Sequence, residues 1–294
     1  GNESPDDGCA DCRMVAHERC VRPCDAGGTR TEPAVGELQK LTADDGGQDQ
    51  YFGDSVAVSG DVAIVGADYD DDRGDRSGSA YIFTRDAQGE WTQTQKLTAD
   101  DGAPNDYFGE HVAISGDVAL VGARGEDESG ENSGAAYVFI RDAQGQWTQA
   151  QKLTADDGVA ADEFGGSIAV RGEVIVVSAA HHGAQGAESG AAYIFTADAQ
   201  GHWTQAQKLT ADDGAALAHF GGPCGLGDGV VIVGATGGTH RGMAYVFARD
   251  PLGAWSQTQR ITADDGADGD FFGAAIALDG DIALVGAFGD DDHG

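Results

Sequence analysis

Between residues 52 and 99 the chain alternates apolar and polar positions in four short runs. FGDSVAVS (Phe52–Ser59) is apolar and β-branched, and DVAIVGA (Asp61–Ala67) follows a Ser59-Gly60 corner. SAYIFTR (Ser79–Arg85) puts Tyr81 and Phe83 on one face, and WTQTQKLTA (Trp91–Ala99) alternates apolar with polar residues throughout. Runs of this length and period, divided by Gly and Asp, predict antiparallel β-strands. No stretch keeps a helical period. Ser59-Gly60-Asp61 is a tight hairpin turn in which Gly supplies the positive φ, and Asp86-Ala87-Gln88-Gly89 has the same turn chemistry.

The pattern recurs. Gln-Lys-Leu-Thr-Ala-Asp-Asp-Gly begins at Gln39, Gln95, Gln151 and Gln207, and a Gln-Arg-Ile variant begins at Gln259. Trp91, Trp147, Trp203 and Trp255 keep the same spacing. Residues 36–294 therefore form one array, preceded by a Cys-rich leader at 1–35. Four antiparallel strands repeated at this interval predict an all-β fold, a β-propeller of four-stranded antiparallel blades. The Phe-Gly strand, with small residues such as Gly53, Ala57, Gly109 and Ala113, suits the crowded axis. The Trp strand is expected outermost, its ring covering the edge of the neighbouring blade. Gly36–Ala43 matches a fourth strand, and the sequence ends after two strands of a fifth unit, so about five blades are expected, the last incomplete. A fragment, a strand supplied by a neighbouring subunit, and closure by the N-terminal segment all fit that count. An open edge is a template for self-association, and head-to-tail addition would build an extracellular filament.

Charge narrows the partners. There are 50 Asp and Glu against 17 Lys and Arg, a formal net charge of −33. That balance argues against nucleic acid and anionic membrane surfaces, and for cations or cationic partners. No apolar run is long enough to insert into a membrane. Gly numbers 47 of 294, which fits a turn-rich globular chain.

The five copies of Phe-Gly followed by Gly-Ala or its variant carry a family resemblance: Phe52-Gly53 with Gly66-Ala67, Phe108-Gly109 with Gly122-Ala123, Phe164-Gly165 with Ser178-Ala179, Phe220-Gly221 with Gly234-Ala235, and Phe272-Gly273 with Gly286-Ala287. They resemble the FG-GAP repeats of integrin α-subunit propellers and bacterial surface proteins. The resemblance implies an exported protein on the extracellular side or cell surface. It also implies a ring of seven blades, more than this sequence supplies. The family's Asp-x-Asp-x-Asp-Gly-x-x-Asp calcium loop is absent, shortened here to Ser-Gly-Asp, so no metal role passes to Asp61, Asp117 or Asp281.

Acids instead gather in two loop sets expected to share one rim. One set is Asp44-Asp45 and its copies at Asp100-Asp101, Asp156-Asp157, Asp212-Asp213 and Asp264-Asp265. For these a structural role is expected, since Asp bonds its own turn backbone. The other set joins the second and third strands: Asp68, Asp70, Asp72 and Asp75 in the first unit, Glu126, Asp127 and Glu128 in the second, Asp290 and Asp292 in the fifth. Converging carboxylates call for a hard cation, so these residues are the Ca²⁺ candidates. A solvated acidic rim that keeps the protein soluble is the alternative. His181-His182 lies on the same rim and could ligate a transition metal, though no third ligand stands at clear spacing. Arg73-Gly74-Asp75 spells an integrin-binding tripeptide, but Arg73 reads as a charge partner within its loop.

Cys9, Cys12, Cys20 and Cys24 are expected to form two disulfides, with a four-thiolate zinc site as the rival. Cys224 reads as a buried thiol in an inner strand. No nucleophile-base signature stands apart from the repeats, so no enzyme is expected. The function that follows is a non-enzymatic extracellular or cell-surface binding or adhesion protein, with a protein or glycan ligand on the acidic loop face. A filament subunit is the second reading.

Overall fold

The computed structural model describes residues 39–238, 241–280 and 282–291. The chain divides into two units between Lys40 and Leu41, a few residues beyond the expected boundary. Cys9, Cys12, Cys20, Cys24 and Asp292 lie outside the described residues.

From Leu41 on, every described element is a strand. The first sheet comprises β1 (Val56–Ser59), β2 (Val62–Ala67), β3 (Ser79–Arg85) and β4 (Trp91–Leu97). The second comprises β5 (Val112–Ser115), β6 (Val118–Ala123), β7 (Ala135–Arg141) and β8 (Trp147–Leu153). The third holds β9 (Ile168–Arg171), β10 (Val174–Ala179), β11 (Ala191–Ala197) and β12 (Trp203–Leu209). The fourth holds β13 (Phe220–Leu226), β14 (Val230–Ala235), β15 (Met243–Arg249) and β16 (Trp255–Ile261), and β17 (Ala275–Asp279) with β18 (Ile282–Gly286) makes a two-stranded fifth. Each sheet is antiparallel in chain order. This is an incomplete five-blade propeller. The tight first hairpin forms as expected: Ser59 pairs with Val62, and Gly60 has φ 62°.

Packing explains why the repeat is the unit of stability. In the four-stranded sheets the second and third strands are largely buried, and three of the four core clusters are each shared by two blades. Ile64, Ala80 and Ile82 of the first blade pack with Phe108, Val121, Tyr137 and Phe139 of the second, and the next two seams repeat this. Phe108 is fully buried, its ring edge-on to Tyr137 and Phe139 at 5.5 and 6.0 Å. Burial of such a ring stabilises by roughly 2–3 kcal/mol. The glycines that follow are fixed by close approach. Gly109, at φ 101°, donates its N–H to the Gly122 carbonyl at 3.0 Å. A Cβ on Gly66 would stand 1.8 Å from the Gly109 carbonyl oxygen. The first strands lie side by side, tied by serine: Ser55 Oγ accepts from Val112 N at 3.0 Å, and Ser167 Oγ from Cys224 N at 3.0 Å. Cys224 is buried as expected, and burial pushes its thiol up to about 11.

Two expectations change. Residues 39–43 carry no strand, although Leu41 and Ala43 pack against the first blade's core. The Trp strand also does not alternate throughout. A bulge at Thr94 leaves Gln95 opposite Ile82 and Gln93 opposite Phe83, which face different seams. Gln93 therefore turns back, where Oε1 accepts from Asp44 N at 2.9 Å. Gln95 turns forward and pairs with both backbone groups of Trp147, accepting from N at 2.8 Å and donating to O at 2.6 Å. Gln151 and Gln207 hold Trp203 and Trp255 in the same way. These three tryptophans are buried at the outer edges, whereas Trp91 is half-buried.

Candidate functional site

The rim is built by two loops that meet on the basic residue of each fourth strand. In the first blade the loop after β2 folds on itself. Gly78 N donates to Asp70 O at 2.8 Å, and Asp72 N to Asp70 Oδ1 at 3.1 Å. The Asp70 carboxylate is thereby turned inward and fully buried, accepting from Tyr81 OH at 3.0 Å. Lys96 Nζ lies 3.1 Å from Asp70, 2.5 Å from Asp72 and 2.7 Å from Asp45 of the preceding loop. Both acidic loop sets thus share one rim, as their order in the chain implies. Burial works to lower the Lys96 pKa, but its bonds to Asp45, Asp72, Tyr81 and Asp70 outweigh burial and hold it above the usual range. The Lys96 bond in turn holds Asp45 below the ordinary carboxylate range.

The same joint changes chemistry from blade to blade. Lys152 Nζ is 2.7 Å from Asp101 and 2.8 Å from both Glu126 and Glu128. In the third blade Lys208 Nζ is 2.7 Å from Asp157 and 2.6 Å from His182 Nε2, and in the fourth Arg260 pairs with Asp213 at 2.6 Å. A lysine ammonium only donates, so His182 Nε2 accepts and Nδ1 carries the proton, given to Asp162 at 2.8 Å. A glutamate in one blade is an imidazole in the next.

This geometry bears on the calcium candidates. Asp70, Asp72, Glu126 and Glu128 converge, but on an ammonium, and Ca²⁺ needs six to eight oxygens around the point that Nζ fills. Asp127 Oδ1 accepts from Asn132 N at 2.8 Å and closes its own loop. Asp75 is exposed, and its backbone carbonyl accepts from Asn105 N at 2.8 Å. Asp68 belongs elsewhere, in the field of Asp54, Glu110 and Arg124. Burial, with Asp54 and Glu110 adding, pushes it up to about 6. Asp290 stands in the corresponding loop of the fifth unit. Among the described residues no three of these acids bring carboxylate oxygens within 4.8 Å of one another. Sequence reasoning missed the lysines. Their signal was present: a cation at the same register of every fourth strand, beside two acidic loops.

His181 and His182 part company. His182 is buried against Asp162, Lys208 and the Tyr193 ring, while His181 Nδ1 faces Glu163 at 3.2 Å and its ring meets His219 at 5.3 Å. Arg73 donates to Thr98 Oγ1 at 3.4 Å, so its partner is a hydroxyl rather than an acid.

A family model described as FG-GAP repeat matches residues 35–83, 91–139, 147–195, 203–247 and 255–294. The chain belongs to the FG-GAP repeat family. Most FG-GAP matches begin on a Trp strand and end within the third strand of the next blade, so the FG-GAP unit straddles the seam that holds the core. FG-GAP repeats are typical of extracellular or surface proteins, and among the described residues no helix is long and apolar enough to cross a membrane. A solved structure of a protein from Lactobacillus plantarum is similar to this chain at 14% identity and TM-score 0.47, covering 73% of this chain. The chain spans 57% of that protein's length. No curated relative matches the sequence.

Proposed function

We propose that this FG-GAP chain is a non-enzymatic extracellular or cell-surface binding protein whose acidic rim receives a protein or glycan ligand of cationic character. One observation carries the reading. In the first two blades the basic residue of the fourth strand answers the inner acids, while Asp44, Asp71, Asp75, Asp100 and Asp127 remain exposed on the same rim. A concentrated negative field on one face steers positive partners and weakens with salt.

The test is binding of the purified chain to a glycan array and to immobilised basic proteins, at low and high salt. Salt-sensitive binding that is lost in an Asp71→Asn/Asp75→Asn/Asp127→Asn variant supports the reading. Failure of every ligand to bind, or binding that the variant leaves untouched, contradicts it. The same proposal gives the lysines the place of the cation, so calcium is not required for the fold. A melting midpoint unchanged by EGTA supports this, and a lowered midpoint contradicts it.

A second reading is self-association through the end blades. Val56 and Val58 on the first blade are 67% and 65% exposed, and Leu284 and Phe288 on the fifth are 63% and 76% exposed. The positions equivalent to Val56 and Val58, Val112 and Ile114, are buried inside a seam. Oligomers in size-exclusion chromatography that Val58→Asp dissolves would favour this reading.

A further inference from the structure

We propose that His181, Glu188 and His219, at the corner between the third and fourth blades, bind a divalent transition-metal ion such as Zn²⁺. One donor atom from each residue lies within 4.8 Å of the other two. His219 Nε2 is 3.0 Å from Glu188 Oε2, and the two imidazole rings meet edge to face at 5.3 Å. Zinc holds nitrogen and oxygen donors at about 2.0–2.2 Å, which closes such a triangle by small side-chain movements. Two imidazoles and one carboxylate are a borderline-soft set that favours zinc, copper or nickel over calcium or magnesium.

The backbone prepares the corner. Glu188 and His219 are both left-handed, at φ 52° and 49°, and His219 N donates to Glu188 O at 3.1 Å. The two Cα atoms are therefore fixed across the seam, and only side-chain torsions remain to be ordered. His181 has an outer partner of the kind that metal-bound histidines use: its Nδ1 meets Glu163 Oε2 at 3.2 Å, and Arg124 reaches the same oxygen at 3.4 Å. A ring nitrogen that gives its proton to a carboxylate leaves the other nitrogen with the lone pair a metal needs. The ligand side chains are 36%, 49% and 33% exposed, which leaves an entry path and room for a water ligand.

The repeat supplies its own control. Tyr69, Arg76 and Tyr107 occupy the same three positions between the first and second blades, where Arg76 lies over Tyr69 at 5.0 Å and the tyrosine rings are 5.7 Å apart. Tyr107 N donates to Arg76 O at 3.1 Å, so the backbone link is the same. The scaffold accepts a cation-aromatic cluster at one corner. At the other it carries three ligands, which nothing in the packing requires.

The test is calorimetric titration of the metal-free full chain with Zn²⁺, beside a His181→Ala/His219→Ala variant whose fold is checked by circular dichroism. The wild type is expected to bind one equivalent more than the variant. A thiolate site at Cys9, Cys12, Cys20 and Cys24 would bind equally in both and cancels. Glu163→Gln should keep that equivalent but weaken it about tenfold. Equal stoichiometry in wild type and folded variant overturns the proposal. Should the double variant fail to fold, Glu188→Gln at an exposed position decides: undiminished zinc affinity overturns the site, and weakened affinity supports it.

Discussion

The first and third seams of this propeller share a backbone and differ in chemistry. At the first, Lys96 is answered by the buried Asp70, and Tyr69, Arg76 and Tyr107 close the corner. At the third, the equivalents are Lys208 against an imidazole, and His181, Glu188 and His219. The core beneath is the same in both: a buried Phe edge-on to Tyr and Phe, a Trp held by a preceding Gln, and small residues where backbones touch. The difference teaches that the repeat fixes where side chains stand and leaves their chemistry free. A corner position carries no packing duty that a different polar or aromatic side chain fails to meet, whereas a seam glycine does.

The largest effect should come from the shared layer. Gly66→Ala sets a methyl against the Gly109 carbonyl, and a loss of about 3 kcal/mol or more in denaturant unfolding is expected. A tolerated alanine would mean that the seams are not close-packed. Next come the lysines, which separate the two seams. Lys96→Met leaves Asp70 buried without its cation and should cost about 3 kcal/mol. Lys208→Met faces a neutral imidazole and a half-exposed Asp157, so about 1 kcal/mol is expected. Equal losses would break the comparison.

The smallest effect is on pH dependence. Burial pushes both Asp68 and Asp106 up to about 6, from an ordinary value of 3.8. Between those limits the folded chain holds protons that the unfolded chain releases, so stability falls as pH rises through this window. Acidifying from pH 7 towards 5 should therefore raise the melting midpoint. Asp106→Asn keeps an acceptor for the Ala103 N–H, bonded at 2.8 Å, and should flatten that slope. A slope that Asp106→Asn leaves unchanged would place the titration elsewhere.

Much of this fold is legible in the sequence because the repeat states it five times. Strand limits such as Ser79–Arg85, the Gly60 turn and the two strands of the fifth unit all follow from periodicity and turn chemistry. The bulge at Thr94 does not. Thr94 sits in an unbroken alternation, and only the need to reach two seams from one strand sends Gln93 and Gln95 to opposite faces. The rim was half legible. That the two acidic loop sets meet follows from blade order, but the cation that joins them is a residue of a strand 26 positions along the chain from Asp70. His181 and His182 look like one pair in sequence, but they stand in the turn after β10, where His182 N donates to Ala179 O at 3.2 Å, and they meet different neighbours. Glu188 and His219, the partners of His181, are brought to it by a seam, across a separation that no local spacing reveals.

The central claim is that three corner positions on a common scaffold set the chemistry of each seam. Transplanting them tests it most directly: a Tyr69→His/Arg76→Glu/Tyr107→His variant, titrated with Zn²⁺ beside the wild type. One additional bound equivalent is the result this account predicts. A folded variant with wild-type stoichiometry would contradict it.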